Sequence, residues 1–178
     1  FNGGRSWSTQ LNQPTAEIYR VDVDDGFPYR VYGSQQDTYV IHSLPSRSVD
    51  FGAKLQLQYW DGVAGMEGGV ASPTPGDPNI VYGGGTSGNI YRYDRRTGQG
   101  RPIRHYPEGG GMPAKYLKYR FQRTAPIHVS VHDPDVVYHT SQYVHRTSDG
   151  GQTWQVISPD LTTDDEERQS TFGGPIVR

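Results

Sequence analysis

Apolar and polar residues alternate in short runs along this chain, and the runs recur in a fixed order. Each recurrence begins with one alternating run, at residues 18–23, 69–72 and 127–131. Because successive side chains of a strand point to opposite faces, this alternation predicts β-strands that bury one face. No segment shows sustained helical periodicity. Residues 115–122 come nearest, and they are equally compatible with an extended crossing segment.

A second predicted strand follows each first one after a turn rich in Asp, Pro and Gly. It carries an aliphatic residue followed by tyrosine, and the three pairs are Val31-Tyr32, Val81-Tyr82 and Val137-Tyr138. The pairs recur at intervals of 50 and 56 residues, which fits a four-stranded propeller blade of roughly 40–50 residues with a modest insertion.

Two further strands complete each repeated unit. The third strands are predicted at residues 39–41, 90–93 and 143–145, and the fourth strands at 54–59, 102–106 and 154–157. A β-sandwich is the alternative all-β fold, since it also spaces its turns every 8–12 residues or so. A sandwich does not require one four-part unit to recur with its turns in step, so the pattern favours a propeller.

The predicted fold is therefore all-β, a partial β-propeller of about three four-stranded antiparallel blades that belongs to a larger ring. Closed propellers have about four to eight blades. We predict the end of a preceding blade at residues 1–16 and three blades at 17–68, 69–114 and 115–160. Residues 161–178 are predicted to be a linker and the start of the next blade.

Residues 147–154 contain the most specific motif, Thr-Ser-Asp-Gly-Gly-Gln-Thr-Trp, which fits the Asp-box pattern Ser/Thr-x-Asp-x-Gly-x-Thr-Trp. Asp149 is expected to accept backbone N–H groups across a hairpin, with Thr153 completing the turn. Gly151 supplies the positive φ that a tight turn needs. Trp154 is expected to pack inward between sheets. These roles are structural, and we do not expect Asp149 to be catalytic.

The chain opens with a truncated copy of the same motif at residues 2–7. Asn2 stands for the aspartate, Gly4 for the glycine, Ser6 for the threonine and Trp7 for the tryptophan. Residues 94–98 form a degenerate copy without tryptophan.

On these motifs the chain resembles the BNR/Asp-box repeat β-propellers. This group includes bacterial glycosyl-hydrolase-like, sortilin N-terminal (VPS10)-like and photosystem II assembly factor-like proteins. The resemblance is carried by residues 29–37, 73–82, 89–97, 118–122 and 146–161. It implies a propeller fold, an extracellular or periplasmic location, and Asp boxes at the blade periphery. Because the group includes sialidases, xyloglucanases and sorting receptors, it leaves the activity open.

Ligand sites in propellers lie on loops that join the second strand to the third and the fourth strand to the next blade. These loops place six polar residues on one candidate ligand-binding face: Gln36, Asp37, Asp61, Glu67, Arg120 and Gln122. Glycosidases need two carboxylates that flank the sugar bond, so Asp37, Asp61 and Glu67 are the candidate catalytic groups. The alternative is that all six residues form turns and hydrogen bonds between blades.

Composition removes several classes of partner and cofactor. The net charge of −2 gives no electrostatic basis for binding nucleic acid. Cysteine is absent, so the sequence offers no disulfide and no thiolate metal ligand. No apolar run reaches the roughly 20 residues that a membrane span needs.

His128 and His132 share a strand face about 13 Å apart, too far for one ion. His105, His139 and His145 are assigned to different strands or turns. We therefore predict no metal site and no cofactor.

Two functions remain open at the level of sequence. The preferred hypothesis is a non-catalytic extracytoplasmic module that binds a protein or a glycan. The alternative is a glycoside hydrolase whose acid and base lie on the channel face. The expected partners are the remaining blades of a longer chain, with self-association through open blade faces as a further expectation.

Overall fold

The computed structural model describes residues 2–7, 16–38, 40–46, 61–107 and 112–170. These residues form twelve β-strands, which pair into three four-stranded antiparallel sheets. Within the described ranges, helical structure is limited to short 3-10 turns at Thr86–Gly88, Ala114–Tyr116 and Glu166–Gln169. The prediction of an all-β chain with three four-stranded antiparallel units is confirmed.

Each sheet is built from four strands that are neighbours in the chain. The first sheet contains β1 (Ile18–Val23), β2 (Arg30–Gln35), β3 (Ile41–Pro45) and β4 (Asp61–Val63). The second contains β5 (Ala71–Thr74), β6 (Asp77–Gly84), β7 (Ile90–Asp94) and β8 (Gln99–Pro102). The third contains β9 (Ile127–Val129), β10 (Val137–Thr140), β11 (Val144–Thr147) and β12 (Gln155–Val156).

The Val-Tyr pairs occupy the second strand of every sheet, as predicted. The fourth strands agree less well with the prediction, apart from β12 (Gln155–Val156), which lies within the predicted range 154–157. The expected strand at 54–59 lies outside the described residues, and the fourth strand of the first sheet begins at Asp61. The expected strand at 102–106 is wrong: a tight turn with Gly98 at φ 68° follows β7 directly, so β8 pairs from Gln99 and ends at Pro102. Residues 115–122 are largely without regular structure beyond the 3-10 turn.

The second sheet lies between the other two and packs each face on one neighbour. Successive residues of β6 point to opposite faces, so Val81 contributes to one interface while Ile80 and Tyr82 contribute to the other. The interface with the first sheet contains Tyr32, Ile41, Val63, Ala71 and Val81, with Tyr93 packed against them. The interface with the third sheet contains Ile80, Tyr82, Ile90, Ile103, Ile127, Val129 and Val137, with Trp154 packed against them.

Gly83 on β6 allows the first and second sheets to approach closely. A Cβ atom at this position would lie 1.8 Å from the carbonyl oxygen of Ala64. Since that oxygen belongs to the backbone, the chain itself would have to move to accommodate a side chain.

We expect Gly83→Ala to lower the free energy of unfolding by about 1–3 kcal/mol, because it overpacks the contact between two sheets. Urea denaturation measures this change. Gly62→Ala is the matched control, since a Cβ there would have only ordinary contacts of 3.9 Å with Val40. Equal effects of the two substitutions would contradict the interpretation.

Candidate functional site

Five polar residues from four separate segments meet at one end of the first sheet. Tyr19 lies on β1, Gln36 and Asp37 follow β2, Glu67 lies between β4 and β5, and Arg123 precedes β9. We call these five residues the Glu67 cluster. The structure thus brings together three of the six predicted site residues, Gln36, Asp37 and Glu67.

Glu67 holds the cluster together through both carboxylate oxygens. Oε1 accepts a hydrogen bond from the Tyr19 hydroxyl at 3.4 Å and pairs with Nη2 of Arg123. Oε2 accepts the backbone N–H of Asp37 at 3.2 Å. The backbone N–H of Glu67 donates to the carbonyl of Thr38 at 3.1 Å. Glu67 therefore fixes three segments relative to one another.

Asp37 and Arg123 form the exposed part of the cluster. Asp37 adopts φ 59°, a left-handed conformation that aspartate tolerates better than most residues, and its Oδ1 accepts Nε2 of Gln36 at 2.9 Å. The guanidinium of Arg123 lies 5.5 Å from the Tyr19 ring centroid. The hydrogen bond with the Tyr19 hydroxyl raises the pKa of Arg123, and the nearby carboxylates of Glu67 and Asp37 add to this effect.

Asp61 is not part of this cluster. It pairs with Arg30 at the start of β2, whereas Gln36 and Asp37 follow the other end of that strand, about 20 Å away at ~3.3 Å per residue. The expectation that Asp61 shares one ligand-binding face with Asp37 and Glu67 is therefore not met. It placed Asp61 in the loop after the fourth strand, but Asp61 begins that strand.

Asp61 instead belongs to an ion-pair network between the first and second sheets. Its Oδ2 binds Nη2 of Arg30 and, at 3.0 Å, Nη2 of Arg95. Both arginines also donate to Oγ of Ser43, at 3.3 and 2.8 Å. Burial and the neighbouring Arg95 charge lower the pKa of Arg30, against the attraction of Asp61. An open cleft of about 450 Å³ lies over this network, with Phe27 at its edge.

Arg120, also predicted for the ligand pocket, fastens its segment to the loop after the third sheet. Its Nη2 donates to Asp160 at 2.7 Å and to Thr162 at 2.9 Å, and Nη1 lies 3.0 Å from Asp164. Its backbone N–H donates to Oε1 of Gln142 at 2.8 Å. The guanidinium of Arg120 therefore makes contacts within the chain that hold two segments together.

Gln122, the last of the six predicted site residues, is exposed and lies outside the Glu67 cluster. Its neighbour Arg123 is the residue that joins the cluster.

The Asp box of the third sheet contains the expected turn. Asp149 Oδ1 accepts the backbone N–H groups of Gln152 and Thr153, at 2.8 and 3.0 Å, and Oδ2 accepts the Thr153 hydroxyl at 2.6 Å. These hydrogen bonds from Thr153, and others, lower the pKa of Asp149. Gly151 has φ 82°, and the indole of Trp154 donates to the Ile103 carbonyl at 2.8 Å.

The truncated copy at residues 2–7 has the same turn but a different tryptophan environment. Asn2 Oδ1 accepts the backbone N–H groups of Arg5 and Ser6, at 3.1 and 3.4 Å. Gly4 has φ 78°. Trp7, in contrast to Trp154, is 89% exposed.

The sequence reasoning missed a group of three histidines, of which His139 and His145 are buried and His105 is half-buried. The ring centroid of His105 lies 4.8 Å from that of His139, 4.2 Å from that of His145 and 4.0 Å from that of Trp154. Phe121 stacks on His139 at 5.0 Å. The available signal was the tight turn between β10 and β11, which places His139 directly opposite His145.

Burial lowers the pKa of each of these histidines, to about 2 for His105, about 3 for His139 and about 4 for His145. The neighbouring histidines add to the effect on His105 and His139. Among the residues that the structure describes, no group of three or more His, Asp or Glu side chains is arranged to hold a metal ion.

No protein-family model matches the chain, and no curated protein matches it. In the described part of the chain, no helix has the length and apolar character needed to cross a membrane.

Proposed function

We propose that the chain is part of an Asp-box β-propeller that acts outside the cytoplasm as a non-catalytic module and binds a protein or a glycan through the Glu67 cluster. The extracytoplasmic location follows from the resemblance of its motifs to the BNR/Asp-box proteins. The ring arrangement and the ligand site are supported by separate observations.

The stacking of the three sheets supports the ring arrangement. Between described strands of different sheets, the main contacts all involve β5 or β9, the first strands of the second and third sheets. These contacts include β1 with β5 and β5 with β9, which are pairs of first strands from neighbouring sheets. First strands that approach one another are expected when sheets are arranged around an axis, since the innermost strands are then closest.

The observation that carries the binding proposal is that Glu67 uses both carboxylate oxygens to hold the exposed Asp37 and Arg123 in fixed positions. A site held rigid in this way loses little conformational entropy when a ligand binds. The carboxylate of Asp37 and the guanidinium of Arg123 can form hydrogen bonds with neighbouring hydroxyl groups of a ligand. The Gln36 amide positions them, since its two polar atoms are bonded to Tyr19 and Asp37. A glycan is therefore the ligand that we test first.

The glycoside hydrolase alternative has less support. It needs two carboxyl groups about 5–10 Å apart with a sugar between them. Asp61 lies at the opposite end of the first sheet from Asp37, in a network with Arg30 and Arg95. Glu67 has both oxygens bound to protein groups, so neither is directed at a sugar.

Glycan binding tests the proposal directly. The chain is screened on a glycan array, and the affinity for the best glycan is measured by calorimetry. Asp37→Ala and Arg123→Ala are each expected to weaken binding about tenfold or more, through loss of charge-assisted hydrogen bonds. Asp135→Ala and Arg168→Ala, at exposed positions elsewhere, are the matched controls. Binding that is unaffected by all four substitutions would contradict the assignment of the site.

The same glycan panel separates binding from hydrolysis. Release of reducing sugar is measured with the unaltered chain, Glu67→Gln and Asp61→Asn. We expect no turnover. Hydrolysis that either substitution abolishes would show that the glycosidase alternative is correct. No glycan binding at all would exclude a glycan ligand and leave a protein as the partner to be tested.

A further inference from the structure

The face of the first sheet that points away from the second sheet is apolar and exposed. Val21 on β1 is 68% exposed and Val23 is 51% exposed. A shallow groove on this face is lined by Ile18, Val21, Val31, Tyr32, Gly33, His42 and Leu44. We call it the outer face of the first sheet.

Strand register shows that this face corresponds to faces that are buried in the other sheets. Val31 pairs with Leu44 in the first sheet as Val81 pairs with Tyr93 in the second. Val81 and Tyr93 pack against the first sheet, and Val81 is fully buried. Val137, the residue equivalent to Val81 in the third sheet, packs against the second sheet. Only the first sheet, among those described, leaves this face without a neighbouring sheet.

The third sheet leaves without a neighbouring described sheet the face that bears the tyrosine of its Val-Tyr pair. Tyr138 pairs with Arg146 on β10 and β11 as Tyr82 pairs with Arg92 in the second sheet. Tyr82 packs against the third sheet. Tyr138 and Val144 are half-buried on the side of the third sheet that points away from the second. We call this side the outer face of the third sheet.

We propose that the outer face of the first sheet binds the outer face of the third sheet of a second copy of this chain. Both internal interfaces join a valine-bearing face of one sheet to a tyrosine-bearing face of the sheet before it. Among the described sheets one face of each kind remains, so the same contact can form twice between two copies. The described sheets of two copies number six, within the range of about four to eight that closes a propeller ring. The proposal rests on the stacking of the sheets and is independent of any ligand at the Glu67 cluster.

The molar mass of the purified chain in solution tests the dimer. Sedimentation equilibrium is expected to give twice the 19.9 kDa of one chain. Val21→Lys is expected to raise the dissociation constant about tenfold or more, because it places a charge in an apolar contact. Val131→Lys is the control, since Val131 is 67% exposed and lies outside both outer faces. A monomer at all concentrations up to about 1 mM would overturn the proposal.

Cross-linking tests which faces meet. The chain contains no cysteine, so Val31→Cys and Val144→Cys each introduce a single thiol. Val31 corresponds to Val81 and Val144 to Ile41, two residues of one internal interface. With a short thiol-specific cross-linker, we expect covalent dimers from a mixture of the two variants and few from either alone. Equal cross-linking of each variant with itself would show a different interface and overturn the proposal.

Discussion

Lowering the pH from 7 to 5 is expected to reduce the free energy of unfolding by about 2 kcal/mol for each of His105, His139 and His145. The unfolded chain binds protons at these residues once the pH falls below about 6.5. The folded chain does not, because the pKa values are about 2, 3 and 4. Stability therefore begins to fall below pH 6.5 and continues to fall as the pH approaches these folded-state values.

The environment of the histidines explains why the folded state excludes protons. His139 is fully buried, and neither ring nitrogen of His105 or His139 has a hydrogen-bond partner. The rings around them are Phe121, Trp154, Tyr119 and Tyr143, together with His145, whose Nε2 lies 2.8 Å from Ser141 Oγ. The ammonium of Lys118 lies 5.3 Å from the centroid of the Tyr119 ring. An imidazolium at His105 or His139 would lose its hydration without gaining a hydrogen bond in return.

Urea denaturation at pH 7, 6 and 5 measures this effect. Three histidines together amount to about 6 kcal/mol at pH 5, which is comparable with the roughly 5–15 kcal/mol that stabilises a typical domain. His139→Phe is expected to reduce the slope of stability against pH by about one proton. His128→Gln, at an exposed position, is the control. Stability that stays constant between pH 7 and pH 5 would contradict this account.

The strands that the sequence predicted well are those whose local pattern agrees with their place in the sheet. Val137 begins β10, which buries alternate side chains, and Val81 lies in β6, which is buried on both faces at residues 80–84. In both strands the Val-Tyr pair of the sequence marks the buried segment. The fourth strand of the second sheet was not predictable in this way. β8 has the sequence Gln-Gly-Arg-Pro and is exposed throughout. It is a strand because a tight turn brings it beside β7, and no propensity of its own residues indicates it.

In the candidate site, too, the residues placed by the order of strands were predicted, and those joined by contacts between distant parts of the sequence were missed. Gln36, Asp37 and Glu67 were placed on one end of the fold because the order of strands and loops determines which loops share an end. Arg123 was missed because its contact with Tyr19 joins residues 104 positions apart, and nothing in the local sequence signals such a contact. The histidine group was missed for the same reason, since His105 reaches it from the segment that follows β8.

The two copies of the Asp-box turn allow the energy of the turn to be separated from the energy of the tryptophan. Both copies have an Asn or Asp side chain that accepts two backbone N–H groups and glycines with positive φ. They differ in the indole: Trp154 packs on the core between the second and third sheets, whereas Trp7 is 89% exposed. If packing rather than the turn supplies the stability, the two tryptophans must respond differently to the same substitution.

Trp154→Ala is expected to lower the free energy of unfolding by about 3 kcal/mol, the lower end of the range for removing a large aromatic side chain from a core, because Trp154 is half-buried. Trp7→Ala is expected to change it by no more than about 0.5 kcal/mol, as for other exposed positions. Trp154→Phe keeps a ring in the core but loses the hydrogen bond to the Ile103 carbonyl, so it should fall between the two. Urea denaturation of the three variants measures the differences. Similar losses for Trp7→Ala and Trp154→Ala would contradict the view that packing of the Trp154 indole between two sheets stabilises this part of the fold.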